Sequence, residues 1–239
     1  MSYSDAYPVN TATVSTDATA STAPIEINDA ETLGMIGRNS SFPLNGKYQQ
    51  TADIVVTKEY QSIGNDTHPF TGEYDGQRHT ISGLSDCLVD TLKQGSIRHL
   101  RFNDTHINSA KTTGLAACTV DGTVSDIRAE NVHISTSGDN AHAGIGGGSV
   151  SGTVANTKAV NSTVKTSGEN ALAGIGGGDV GYGATVANTT AVNCKVETSG
   201  KNVRAGFGAG RVFDGGMVGN PTVVNSRIAA TKENSGSTN

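Results

Sequence analysis

One six-residue string limits what this chain can fold into, because it returns at a nearly constant step. Ala143-Gly-Ile-Gly-Gly-Gly148 comes back 30 residues later as Ala173-Gly-Ile-Gly-Gly-Gly178, and after a further 32 as Ala205-Gly-Phe-Gly-Ala-Gly210. A weaker copy, Thr113-Gly-Leu-Ala-Ala-Cys118, lies 30 residues before the first. Other markers keep the same step. Thr136–Asn140 recurs at Thr166–Asn170 and Thr198–Asn202, Thr153–Thr157 at Thr185–Thr189, and Ala159-Val160-Asn161 at Ala191–Asn193, surviving as Val224-Asn225. Several markers sharing one period are the signature of stacked repeats. The longer third step places a loop insertion near Gly181-Tyr182-Gly183.

Each repeat is rich in Gly, Val, Thr and Asn and carries no 3.6-residue apolar stripe, so it cannot be helical. Its pieces between glycines are short and β-prone, and Val150, Val154 and Val164 alternate with polar neighbours as inward candidates. Three such strands joined by Gly and Asn corners describe one coil of an all-β, right-handed parallel β-helix, a β-solenoid of ~30-residue coils. Stacking lets each strand bond to the same strand one coil along, so Val meets Val inside and Asn meets Asn at corners. The run Gly146-Gly147-Gly148 is expected to supply positive φ and close backbone approach, not a phosphate cradle, since it matches neither nucleotide-binding glycine pattern. Composition agrees with a thin core: the chain of 239 residues has 31 glycines, no tryptophan and only 5% aromatics.

The expected organisation is a disordered Ser/Thr-rich leader at 1–24, one solenoid domain at 25–230, and a polar tail at 231–239. Within the domain, 25–80 forms an N-terminal cap segment and 81–230 the coils, with repeats near 113–142, 143–172, 173–204 and 205–230. Glu31–Ile36, preceded by Asn28 and Asp29, reads as one short helix, and Asn45-Gly46 and Asp75-Gly76 as turns. The strings Gly95–Ile107 and Gly122–Ile134 align at a step of 27. Solenoid ends expose unpaired strand edges, so a dimer through the C-terminal end is an open expectation.

Net charge is −5 and no run of basic residues stands out, which argues against a nucleic-acid partner. No stretch has the ~18 apolar residues of a membrane span. Met1 to Ala23 lacks an apolar core and is not a secretory signal of that kind. Three widely spaced cysteines, Cys87, Cys118 and Cys194, are expected to be small buried thiols.

Candidate chemistry is sparse. Glu73 and Asp75 lie two apart, hence on one face of a strand, and with His79 form the one place for an acid pair; Asp75 reads more simply as a turn residue and His79 as a capping or packing histidine. Lys165 and Lys195 are expected at matching strand positions on one face, as a binding surface. His106 and His133 fall at equivalent coil positions and are expected to stack on a solvated face. Asp179, after a glycine run, gives a weak calcium signal. No cofactor or metal is expected.

The residues from Ile25 to Leu84, above all Phe70-Thr-Gly-Glu-Tyr-Asp-Gly-Gln-Arg-His-Thr-Ile-Ser82, resemble the opening segment of GLUG-repeat proteins, and the Thr-Val-Ala-Asn and Ala-Val-Asn strings resemble the repeat itself. The resemblance spans about residues 25–230. It implies a parallel β-helix from a bacterial secreted or cell-surface protein, found in adhesins and beside surface peptidases. The expectation is a non-catalytic exported β-solenoid that binds a protein or glycan of a host or neighbouring cell. Two alternatives stand beside it. One is an effector delivered into host cells, with 1–24 as its leader. The other is a carbohydrate-active β-helix enzyme.

Overall fold

The structure, a computed structural model, describes residues 23–232. Most of the expected leader and tail therefore lie outside the described residues. The chain is nearly all β and winds into a parallel solenoid of about 6 turns. Every strand pairing in it is parallel and joins one coil to the next. In one inward column Ile97, Val124, Val154, Val186 and Val218 follow each other in register. A second runs Phe102, Ala129, Ala159, Ala191 and Val223, and a third Ile107, Ile134, Val164, Val196 and Ile228. Val150, Val154 and Val164 are each 0% exposed, as their alternation predicts.

The coils begin earlier than the repeat pattern shows. Ile25, Tyr48, Tyr74 and Ile97 already stack in register, so the segment 25–80 is itself coiled. Its inward positions hold Tyr48, Phe70 and Tyr74 where later coils hold valine, and those rings are fully buried. The bulk of these aromatics hides the repeat from a sequence comparison while leaving the strand register intact. The one α-helix among the described residues, Ala30–Met35, packs Leu33, and the Ile36 that follows it, onto this end of the core. Asp29 caps it by accepting from the Thr32 backbone N–H at 2.7 Å, and the Thr32 hydroxyl reaches back to the Asp29 N–H at 3.3 Å. The opposite end has no such cover among the described residues: Val212, Met217, Val223, Val224 and Ile228 are all exposed.

Corners and crossings divide the work between Asn and Gly. A β-carbon on Gly148 would lie 2.8 Å from the Cys118 carbonyl oxygen, and one on Gly178 would lie 2.8 Å from the Ala143 nitrogen. Only glycine lets these backbones cross so closely. None of Gly146, Gly147 and Gly148 has positive φ, however. That half of the glycine expectation fails, because the left-handed conformation is taken up by asparagine. Asn156 and Asn188 sit at φ 56° and 54°, and Asn161, Asn193 and Asn225 at 49°, 52° and 46°. Asn tolerates this region because its short amide can bond locally. Here it bonds along the stack: Asn156 Nδ2 donates to Asp126 Oδ1 at 3.0 Å, Asn188 Nδ2 to Asn156 Oδ1 at 2.9 Å, and Asn193 Nδ2 to Asn161 Oδ1 at 3.2 Å. The extra residues near Tyr182 form a turn with Gly183 at φ 69°, outside the strands, so the register survives them.

The cysteines correct the expectation of three free thiols. Cys87 and Cys118 form a disulfide across neighbouring coils, with Cα atoms 5.8 Å apart. Cys118 occupies the place of Gly148 in the next coil, at a crossing where Gly148 lies against its carbonyl. A sequence separation of 31 gave no framework pattern; only the coil step brings the two together. Cys194 is free and buried.

Candidate functional site

Glu73 and Asp75 belong to the strand Glu73–Asp75, with Tyr74 buried between them, so both point outward as the spacing predicts. They do not stand as a free acid pair. Arg98, one coil along, donates from Nε to Asp75 Oδ2 at 2.9 Å and lies 3.9 Å from Glu73, while Lys47 lies 3.4 Å from Glu73 on the other side. Asp75 also receives the Gln77 backbone N–H at 3.0 Å and faces His99 Nδ1 at 3.2 Å. Burial pushes its carboxyl up, but the hydrogen bonds from Gln77, Arg98 and His99 outweigh it and hold the group below its ordinary value. A general acid needs the opposite shift. His79 is in a different contact, 3.4 Å from Asp53, and its backbone N–H closes the turn onto the Gly76 carbonyl. The three residues therefore act as ionic and turn pins between coils.

Lys165 and Lys195 share a face but not a column. Lys165 lies beside Glu197 in register, and Lys195 beside Thr163. The expected matching positions are displaced by two residues, because the inserted loop lengthens the step between these coils to 32. Lys195 is bonded to Glu197. Beside this face His106 and His133 do stack, with ring centroids 4.7 Å apart and planes within 6°.

The coil geometry assembles a group that no stretch of sequence contains. Arg101, Arg128 and Lys158 follow one another in register on three consecutive coils, all exposed. Adjacent strands are roughly 4.8 Å apart, so the three side chains leave the backbone in a file at that spacing. Arg78 approaches from the side. Two shallow grooves flank the file. One, of about 310 Å³, is bounded by Arg78, His99, Arg101, Asp126, Arg128, Asn156 and Lys158; the other, of about 530 Å³, by Thr80, Arg101, Asn103, Arg128, Glu130 and Asn131. Arg128 pairs with Glu130 at 3.3 Å. Arg78, Arg101 and Lys158 have no ion pair among the described residues. The signal was present in the aligned strings Gly95–Ile107 and Gly122–Ile134, whose seventh residues are Arg101 and Arg128. A search for contiguous basic runs passes over it.

A second cluster links three later coils. Arg211 clamps both oxygens of Asp179 at 2.9 and 3.0 Å and lies 4.2 Å over the Phe213 ring. The bonds that Arg211 donates to Asp179 raise the Arg211 pKa. The guanidinium occupies both carboxylate oxygens, which removes the calcium reading of Asp179. His142 lies 3.9 Å from Asp179, beyond hydrogen-bond distance, and burial lowers its pKa. Burial raises the pKa of the Cys194 thiol, which faces the Val192 carbonyl at 3.3 Å. A thiol so placed is not an activated nucleophile.

No protein-family model matches the chain, and no curated protein matches it. Among solved structures, it is similar to the crystal structure of a "putative immunoglobulin A1 protease" from Bacteroides ovatus. The similarity has a TM-score of 0.60 at 17% identity and covers 87% of this chain and 84% of that one. At that identity the likeness carries the fold.

Proposed function

We propose that this chain is a non-catalytic, exported β-solenoid of the GLUG-repeat type that binds a partner along its long face, as an adhesin or surface protein does. The observation that carries the reading is the file Arg101–Arg128–Lys158. Like charges directly opposite on neighbouring strands destabilise a sheet. A file that stability disfavours, left open to solvent, is what a binding surface for a charged partner requires. The Cys87–Cys118 bond supports export, since disulfides persist in oxidising compartments. Against catalysis stand the lowered pKa of Asp75 and the raised pKa of Cys194: neither is poised as acid or nucleophile. The name of the structural neighbour raises a protease reading, but no residue cluster described above carries it here.

The test is to incubate the full chain with a panel of host and bacterial surface glycans and proteins, measuring bound fraction and released products together. Binding without turnover is the expected result. Turnover abolished by Glu73→Gln or Asp75→Asn would replace this reading with the carbohydrate-active one. Export is checked by fractionating the producing cells: the oxidised chain is expected outside the cytoplasm.

A further inference from the structure

Resting on that binding role, we infer that the partner is a linear acidic polysaccharide, laid along the file Arg101–Arg128–Lys158 so that successive carboxylates meet successive cations. The file is confined to three coils. In register with it lie Thr80 before Arg101, and Thr190 and Thr222 after Lys158, all neutral. The cationic stretch therefore has a defined length and a straight course set by the strand repeat. A polymer with one carboxylate per sugar presents anions in the same linear way. Arginine forks match carboxylates two bonds at a time. The Asn131 side-chain oxygen and the Thr80 hydroxyl line one flanking groove and face sugar hydroxyls there, while Asn103 and Asn156 are held by Asp104 and Asp126. The grooves carry four cations against two carboxylates, Asp126 and Glu130. Glu130 is already paired with Arg128, and Asp126 accepts from Asn156.

Nucleic acid fits the same charge less well. Single strands are held by bases stacking on exposed aromatic rings. The one Phe, Tyr or Trp ring in either groove is Phe102, and it is 1% exposed. His99 borders one groove but is committed to Asp75.

The experiment measures binding of the full-length chain to de-esterified polygalacturonate, to its methyl-esterified form, and to single-stranded oligothymidylate, at about 50 and 200 mM salt. The parent should bind polygalacturonate and not the ester, and should lose affinity as salt rises. Arg101→Gln with Lys158→Gln should weaken binding at least about tenfold while circular dichroism matches the parent and melting is equal to or slightly above it. Lys93→Gln, on another strand segment, should bind as the parent does. A second measurement avoids substitution: polygalacturonate should slow acetylation of Lys158 but not of Lys93. Absence of polygalacturonate binding, equal binding by the double variant, unprotected Lys158, or tighter binding of the oligothymidylate would each overturn the inference. Release of unsaturated or reducing sugar ends would instead overturn the non-catalytic role and leave the file's ligand standing. A chain blind to polyanions that still attaches to target cells would refute the file alone.

Discussion

Cutting the Cys87–Cys118 bond tests the coil geometry and the stability it confers. The two residues are 31 apart in sequence. In the chain-entropy picture, closing a loop of that length removes about 12 cal/mol/K from the unfolded ensemble, roughly 3.7 kcal/mol at 25 °C. Both sites are buried, at 0% and 9% exposure, and alanine fills them without adding polar atoms. Cys87→Ala with Cys118→Ala should therefore lose about 3–4 kcal/mol. With an m-value of about 2–3 kcal/mol/M, the urea midpoint should fall by roughly 1–2 M. The assay is urea unfolding followed by far-ultraviolet circular dichroism, with and without reductant. Reductant should lower the parent's midpoint toward that of the double variant and leave the variant unmoved. Under denaturing, non-reducing conditions one thiol per chain, Cys194, should react with a thiol reagent. Three reactive thiols, or a midpoint indifferent to reductant, would refute the bond and with it the placement of Cys118 beneath the crossing strand.

Asn188→Ala should cost about 1–2 kcal/mol in urea unfolding, because alanine strains the left-handed corner and drops the bond to Asn156; Asn188→Gly should cost less, since only the bond is lost. The buried Thr166 hydroxyl has no hydrogen-bond partner among the described residues, so Thr166→Val should raise stability by roughly 1 kcal/mol, measured the same way. The folded pKa of Asp75 lies below its unfolded value near 3.8, so its ionic bonds contribute fully above that value and fade as pH falls through the lower folded one. The stability gap between the parent and Asp75→Asn should be open at neutral pH and close on acidification below about pH 4, as read from unfolding curves across pH.

The repeat was legible because identical residues at one period can only be neighbours through stacking. Val154 above Val124, Ala159 above Ala129 and Asn188 above Asn156 follow from the step alone. The short helix at Ala30–Met35 was legible from its cap. The opening coils were not, because Tyr48 and Tyr74 fill with single rings the space that later coils fill with smaller side chains, and no string recurs. The disulfide escaped because Cys118 stands where the other coils have glycine, and its partner lies a whole coil away. The cationic file escaped for a related reason: its charges are dispersed along the chain at the coil step, and a local window sees each as a lone surface residue. Lys165 and Lys195 show the reverse error, since two extra residues in one loop shift which of the strand's outward positions they hold.

The asparagine corners carry a consequence for how such a chain changes over generations. Asn188, Asn193 and Asn202 each donate to the equivalent amide one level down, so such a level can be copied, and the copy meets neighbours of its own kind above and below. A duplication or deletion of one whole level leaves every column continuous, whereas a gain of a few residues inside a strand would throw all columns out of phase at once. The insertion around Tyr182, which bulges outward and leaves the phase untouched, is the kind of length change this architecture tolerates.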